Sequence, residues 1–153
     1  MIRYEKILKQ PQVASNLLGM SVTEFEEVFV EFEGAYIGHM NSLQQTRRYK
    51  GMRRRAVGAG RKHKYALRDR LLMTLFWLRA YTTYEVLGVL YGLDKTTVED
   101  NLNDVLETLE TITTFNFERP QAGIPKLHSL QDVLHTFPEL RLLIDANDKV
   151  QTE

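Results

Sequence analysis

The sequence predicts a mainly α fold: a helical bundle with a helix-turn-helix, a basic glycine-containing arm and a short C-terminal strand-like segment. Apolar residues recur three and four apart over long stretches, the signature of one buried helix face. Two such stretches meet at Gly92-Leu93-Asp94, which reads as a tight turn followed by a favourable helix N-cap. Residues 47–70 hold eleven Lys/Arg against one acid, Asp69, a net +10 inside a chain whose 20 basic and 20 acidic residues cancel. Clustered Lys/Arg with glycine between them suits phosphate binding, and a solvated linker shares that composition.

The bulk numbers narrow the classes. A length of 153 residues fits one ordinary domain or two small ones, and 43% apolar content argues against general disorder. No apolar run approaches the roughly 20 residues that cross a bilayer, and MIRYEKILKQ lacks a signal-peptide core. Without cysteine there is neither disulfide nor thiolate metal site. His39, His63, His128 and His135 are scattered, with no pair at metal-ligand spacing. A soluble cytoplasmic protein is the expectation.

Residues 4–19 read as a short helical approach broken at Pro11 and closed by Gly19. Ser21 and Glu24 form a capping-box signal. It opens a long helix over about 22–45, striped by Val22, Phe25, Phe29, Phe32, Tyr36, Met40 and Leu43. That stripe is read as core, with a seam between copies as the alternative. Gly34 and Gly38 weaken the helix and permit close approach of another. Gly51, Gly58 and Gly60 interrupt the basic block. From Leu67 to about Tyr81 a second helix buries Leu71, Leu72, Leu75, Phe76 and Leu78, and Arg68, Arg70 and Arg79 are expected on the surface.

Thr83–Tyr91 and Lys95–Leu109 form the helix-turn-helix pattern, with Leu87, Leu93, Val98, Leu102, Val105 and Leu106 as shared core. Small Gly88 sits where two crossed helices need room, and Asp94 caps the second helix. In such a motif the second helix enters the major groove; a plain helical hairpin is the alternative. After Thr111 the chain reads as a loop. Ser129 then caps a short helix, Leu130–Thr136, that ends before Pro138. LRLLIDA (140–146) has the look of a buried strand.

The order of parts resembles the N-terminal region of DDE-superfamily insertion-sequence transposases, which set a helix-turn-helix ahead of a ribonuclease-H-like catalytic domain. GAGRKHKYALRDRLLMTLFWLRAY (58–81) is similar to that family's basic approach and following helix. TTYEVLGVLYGLDKTTVEDNL (82–102) resembles its "T-x-E-x-L-…-G-x-S-K-S-T-V" motif. LLGMSVTEFEEV (17–28) resembles its N-terminal helical segment, and LLIDAND (142–148) the strand carrying the first catalytic aspartate, here Asp145. The resemblance implies four regions: an N-terminal helical segment (1–46), a basic DNA-contacting arm (47–66), a helix-turn-helix domain (67–112), and a linker with the truncated start of a catalytic domain (113–153). In that family three acids hold two divalent metals. Asp145 alone cannot assemble such a site, so no catalytic residue, no metal site and no cofactor is expected unless a complete catalytic domain is supplied.

Double-stranded DNA is therefore the expected partner, with a second copy or a separate catalytic chain as protein partners, no membrane contact, and a nucleoid-associated location in the cytoplasm. Arg47, Arg48, Lys50, Arg53, Arg54, Arg55, Arg61, Lys62 and Lys64 would hold phosphates. Tyr49 and Tyr65 are candidates for stacking or phosphate hydrogen bonds. Lys95, Thr96, Thr97, Asn101 and Asn103 would face base edges. Glu99, Asp100 and Asp104 depart from the Ser and Arg that family members tend to carry there, and acids repel phosphate. The competing function is a protein-interaction or oligomerisation module built on the 22–45 helix and the acidic second helix.

Overall fold

The computed structural model describes residues 2–49, 65–112, 126–141 and 143. Helix α1 (Tyr4–Leu8) is followed at once by α2 (Pro11–Leu18). Pro11 occupies the first turn of α2, where its missing N–H costs nothing, so it starts a helix as well as ending one. Gly19, at φ +70°, closes α2 by returning its N–H to the Ser15 carbonyl at 2.9 Å.

Helix α3 (Val22–Tyr49) opens on the expected capping box. The Glu24 amide donates to Ser21 Oγ at 3.1 Å, and the Ser21 amide donates to Glu24 Oε2 at 3.1 Å. It runs 28 residues, past the expected end near 45. Its apolar stripe splits in two. Phe25, Phe29 and Phe32 are buried, whereas Tyr36 and Met40 are half-buried and Leu43 is exposed. The first half of α3 belongs to the core, and the second half runs beyond it along the body.

Helix α4 (Leu67–Ala80) is the centre of the bundle. Every residue from Arg70 to Trp77 is buried, so the helix is covered on all sides by α1, α2, α3 and the two helices that follow it. That packing overturns the surface position expected for Arg70: its side chain is 3% exposed. Arg68 is half-buried and Arg79 is exposed, its Nε donating to the Asn16 carbonyl at 2.7 Å. The helix stops at Tyr81, which adopts φ 49° and sends its N–H to the Trp77 carbonyl at 2.7 Å. Trp77 Nε1 donates to the Thr82 carbonyl at 3.0 Å, satisfying the indole inside the core edge.

Helices α5 (Tyr84–Tyr91) and α6 (Lys95–Leu109) follow. The chain then returns to this layer. Leu127 pairs with Thr82 in a parallel bridge, its N–H donating to the Tyr81 carbonyl and its carbonyl accepting from Thr83. Ser129 caps α7 (Leu130–Thr136) through the Asp132 amide at 3.1 Å. Val133, Leu140 and Leu143 join the core, and Phe137 meets Phe76 edge-on at 5.8 Å. The strand expected over 140–146 is not formed where the chain is described: Leu140, Arg141 and Leu143 are helical, with i→i+3 bonds from Leu140 to Phe137 and from Arg141 to Pro138. A short apolar run is compatible with either state, and here a helical turn places Leu140 and Leu143 on the same buried side. No described helix is long and apolar enough to cross a membrane.

Candidate nucleic-acid interface

The turn between α5 and α6 is built from backbone contacts that fix the residues used. Thr83 caps α5 by accepting from the Val86 amide at 3.3 Å. Gly92 ends it at φ 65°, a left-handed conformation costly for other residues. The amides of Gly92 and Leu93 both return to the Gly88 carbonyl. This folds the Leu93 carbonyl onto Gly88: a Cβ there would lie 2.4 Å from that oxygen. Asp94 then starts α6, its Oδ1 accepting from the Thr97 amide at 2.7 Å. Leu87, Val98, Leu102 and Val105, all fully buried, hold the two helices together.

Helix α6 has two unlike faces. Inward lie Val98, Asn101, Leu102, Val105, Leu106, Thr108 and Leu109. Outward and exposed lie Lys95, Thr96, Glu99, Asp100, Asn103, Glu107 and Glu110, and Thr97 is half-buried. Of the five residues expected to face bases, Lys95, Thr96 and Asn103 are exposed together. Asn101 is not with them. It is 5% exposed, and its Oδ1 accepts from Arg70 Nε at 2.7 Å. It sits three residues after Val98 and four before Val105, so helical period alone turns it toward the core. Lys95 is paired: its ammonium lies 3.0 Å from Glu85 Oε1, which raises the lysine pKa and lowers that of the carboxyl. Both groups are well exposed, so the pair is weak and a phosphate can displace the carboxylate.

A buried polar cluster ties α6 to the rest. Arg70 Nη2 donates to Asp104 Oδ2 at 2.5 Å, Arg70 Nη1 to the Tyr36 hydroxyl at 3.0 Å, and the Tyr36 hydroxyl to Asp104 Oδ2 at 2.7 Å. One arginine from α4 thereby joins α3 and α6, and burial raises the Tyr36 pKa. Farther along α3, His39 Nε2 lies 3.7 Å from Glu107 Oε2. Neither Arg70 nor its partners read as a cluster in sequence, because they come from three helices. The one legible signal was Asn101 and Asp104, polar residues three apart on the apolar side of α6.

The far end of the basic block is absorbed by the fold. Arg68 pairs with Glu26 at 3.1 Å and lies over the rings of Phe29 at 4.4 Å and Tyr4 at 5.0 Å. Asp69 Oδ1 accepts from the Tyr4 amide at 2.7 Å at the start of α1. Tyr65, expected to face phosphate, is buried instead, with its hydroxyl donating to the Tyr91 carbonyl and its ring edge-on to Tyr91 at 5.8 Å. What remains is residues 47–64, nine Lys/Arg and no acid. Arg47, Arg48 and Tyr49 lie in the last turn of α3. Lys50, Arg53, Arg54, Arg55, Arg61, Lys62 and Lys64 lie outside the described residues, as does Asp145. Among the described residues no group of three His, Cys, Asp or Glu could hold a metal ion.

The family model described as the helix-turn-helix of DDE superfamily endonuclease matches residues 63–115. Residues 63–115, about a third of the chain, are thus similar to that helix-turn-helix. The match spans the end of the basic block, all of α4, α5 and α6, and the Gly88–Asp94 turn between the last two. No curated protein and no solved structure matches the chain. In the structure the second helix of the matched helix-turn-helix is α6.

Proposed function

We propose that this chain is the DNA-binding module of a transposase, serving terminal-repeat recognition or regulation of transposition, and that it is non-catalytic by itself. The observation that carries this reading is the acid-free run of nine Lys/Arg at 47–64 leading directly into the helix-turn-helix matched at 63–115. Each phosphate neutralised by that run releases counterion, which makes it the main source of affinity. Helix α6 is the weaker contributor. Its exposed Glu99, Asp100, Glu107 and Glu110 oppose phosphate, so Lys95, Thr96 and Asn103 near its N-terminal half choose register and base edge rather than supply grip. Catalysis, in this reading, belongs to a domain supplied in addition to the residues around Asp145.

A mobility-shift series on duplex DNA from about 50 mM salt upward tests the reading. Binding that weakens steeply with salt is expected. Absence of binding at the lowest salt refutes it, since a run of nine cations with no acid among them binds duplex at least non-specifically. Nicking with magnesium or manganese that disappears in Asp145→Ala would overturn the non-catalytic part.

A further inference from the structure

The outward face of α3 is used neither by the core nor by the helix-turn-helix. Phe25, Phe29 and Phe32 hold one side of α3 against the body. Helical phase puts Glu27, Val30, Gly34, Ile37, Gly38 and Asn41 on the opposite side. All six are exposed, Val30 to 71% and Ile37 to 54%. Two large β-branched side chains one heptad apart thus face solvent on either side of a glycine. A Cβ added at Gly34 or Gly38 would meet nothing within 4 Å, so packing inside the chain calls for neither glycine, although each weakens a helix interior relative to alanine.

The charge order along α3 identifies what fits there. Glu24, Glu26, Glu27, Glu31 and Glu33 all precede Gly34, whereas Arg47 and Arg48 close the helix. A second α3 running antiparallel and crossing near residues 34–37 sets the acidic half of each helix against the basic end of the other. Position 48 then lies beside position 23 of the other copy, at its acidic end. A parallel pair aligns acids with acids and starts both nine-cation runs at one point. The antiparallel pair separates the two Tyr49 ends by about 40 Å at 1.5 Å per residue, several times the Debye length of about 8 Å at physiological salt. We propose that α3 pairs antiparallel with α3 of a second copy of this chain, through Val30, Gly34, Ile37 and Gly38. Such a contact is isologous and closes on itself. It starts the two basic runs at opposite ends of the pair.

The pairing does not rest on DNA binding, and nuclease-treated protein tests it directly. Sedimentation of the full chain at micromolar concentration is expected to give twice the mass of one chain. Val30→Lys and Ile37→Lys are expected to halve that mass with the helical circular-dichroism spectrum unchanged, because both side chains already face solvent. A monomeric wild type, or a dimer that survives both substitutions, overturns the proposal. Orientation is read by cysteine cross-linking, since the chain has no cysteine of its own. Antiparallel pairing holds the two copies of residue 41 about 16 Å apart along the axis. Asn41→Cys alone should then stay unlinked, while Val30→Cys with Asn41→Cys in one chain forms intermolecular disulfides. Efficient linkage through Asn41→Cys alone indicates a parallel pair and overturns the antiparallel assignment.

Discussion

Replacing Arg70 by methionine keeps most of the side-chain length and removes the guanidinium from the α3–α4–α6 junction. Three hydrogen bonds go with it, to Asn101, Asp104 and Tyr36. Breaking a fully buried ion pair costs about 3–5 kcal/mol, chiefly through the charge left behind. Asp104 is 27% exposed and can recover some water, so the lower end applies, about 3 kcal/mol. In a chain of this length that lowers Tm by roughly 6–12 °C. Trp77, the sole tryptophan and a buried neighbour on α4, reports the transition by fluorescence in urea. Pairing Arg70→Met with Asp104→Leu then separates the interaction from the loss of packing. The double variant should be less destabilised than the sum of the singles by at least about 1 kcal/mol, as contacting residues couple. A single-variant cost under about 1 kcal/mol, or strict additivity, refutes the reasoning and leaves Arg70 as a hydrated cation that happens to lie inward.

Gly88→Ala should destabilise by about 1–3 kcal/mol in urea unfolding, because the new methyl collides with the Leu93 carbonyl at the turn. Asp94→Ala should cost about 1 kcal/mol in the same assay through loss of the α6 cap. Alkaline titration should show stability falling as pH rises above 10: free tyrosines ionise there, whereas burial and the Glu26 hydrogen bond push Tyr4 up to about 12, and burial raises Tyr36, Tyr65 and Tyr91. The folded state then binds more protons than the unfolded one, so its stability is complete below pH 10 and drains above it; tyrosinate absorbance and circular dichroism followed together check this. Arg53, Arg54 and Arg55 replaced together by alanine should flatten the slope of log K against log salt by up to about 3 units and weaken all duplexes alike in mobility shifts.

Helix positions were legible because their signals are local. The Ser21–Glu24 box, Gly92 before Asp94, and Ser129 before Leu130 each act within one turn, and the chain folds there as those residues require. Burial was less legible where it depended on what lies opposite. A stripe from Val22 to Leu43 is uniform in sequence, but its buried members end at Phe32, with Tyr36 and Met40 half-buried and Leu43 exposed. Arg70 and Tyr65 looked like members of a basic block because charge is counted along the chain. Their fates are set by α3, α6 and Tyr91, which approach from elsewhere in the sequence. LRLLIDA shows the same limit, since a short apolar run does not say whether a sheet or a helical layer will receive it.

These placements divide labour within the basic region. Its C-terminal members, Arg68 and Arg70, pair with Glu26 and Asp104 and so hold α4 against α3 and α6. The nine cations of 47–64 have no acid among them in the sequence. Arg70, committed inside the fold, joins α6 to α3 through Asp104 and Tyr36. A substitution in the Arg70 cluster should change which duplex is preferred, through the pose of α6, while leaving the salt slope intact. A substitution within 47–64 should do the reverse. Measuring both quantities on Tyr36→Phe, which removes one hydroxyl from the cluster at an expected stability cost of about 1 kcal/mol, separates the two roles in a protein that remains folded. A change in salt slope with unchanged preference in that variant would contradict the division.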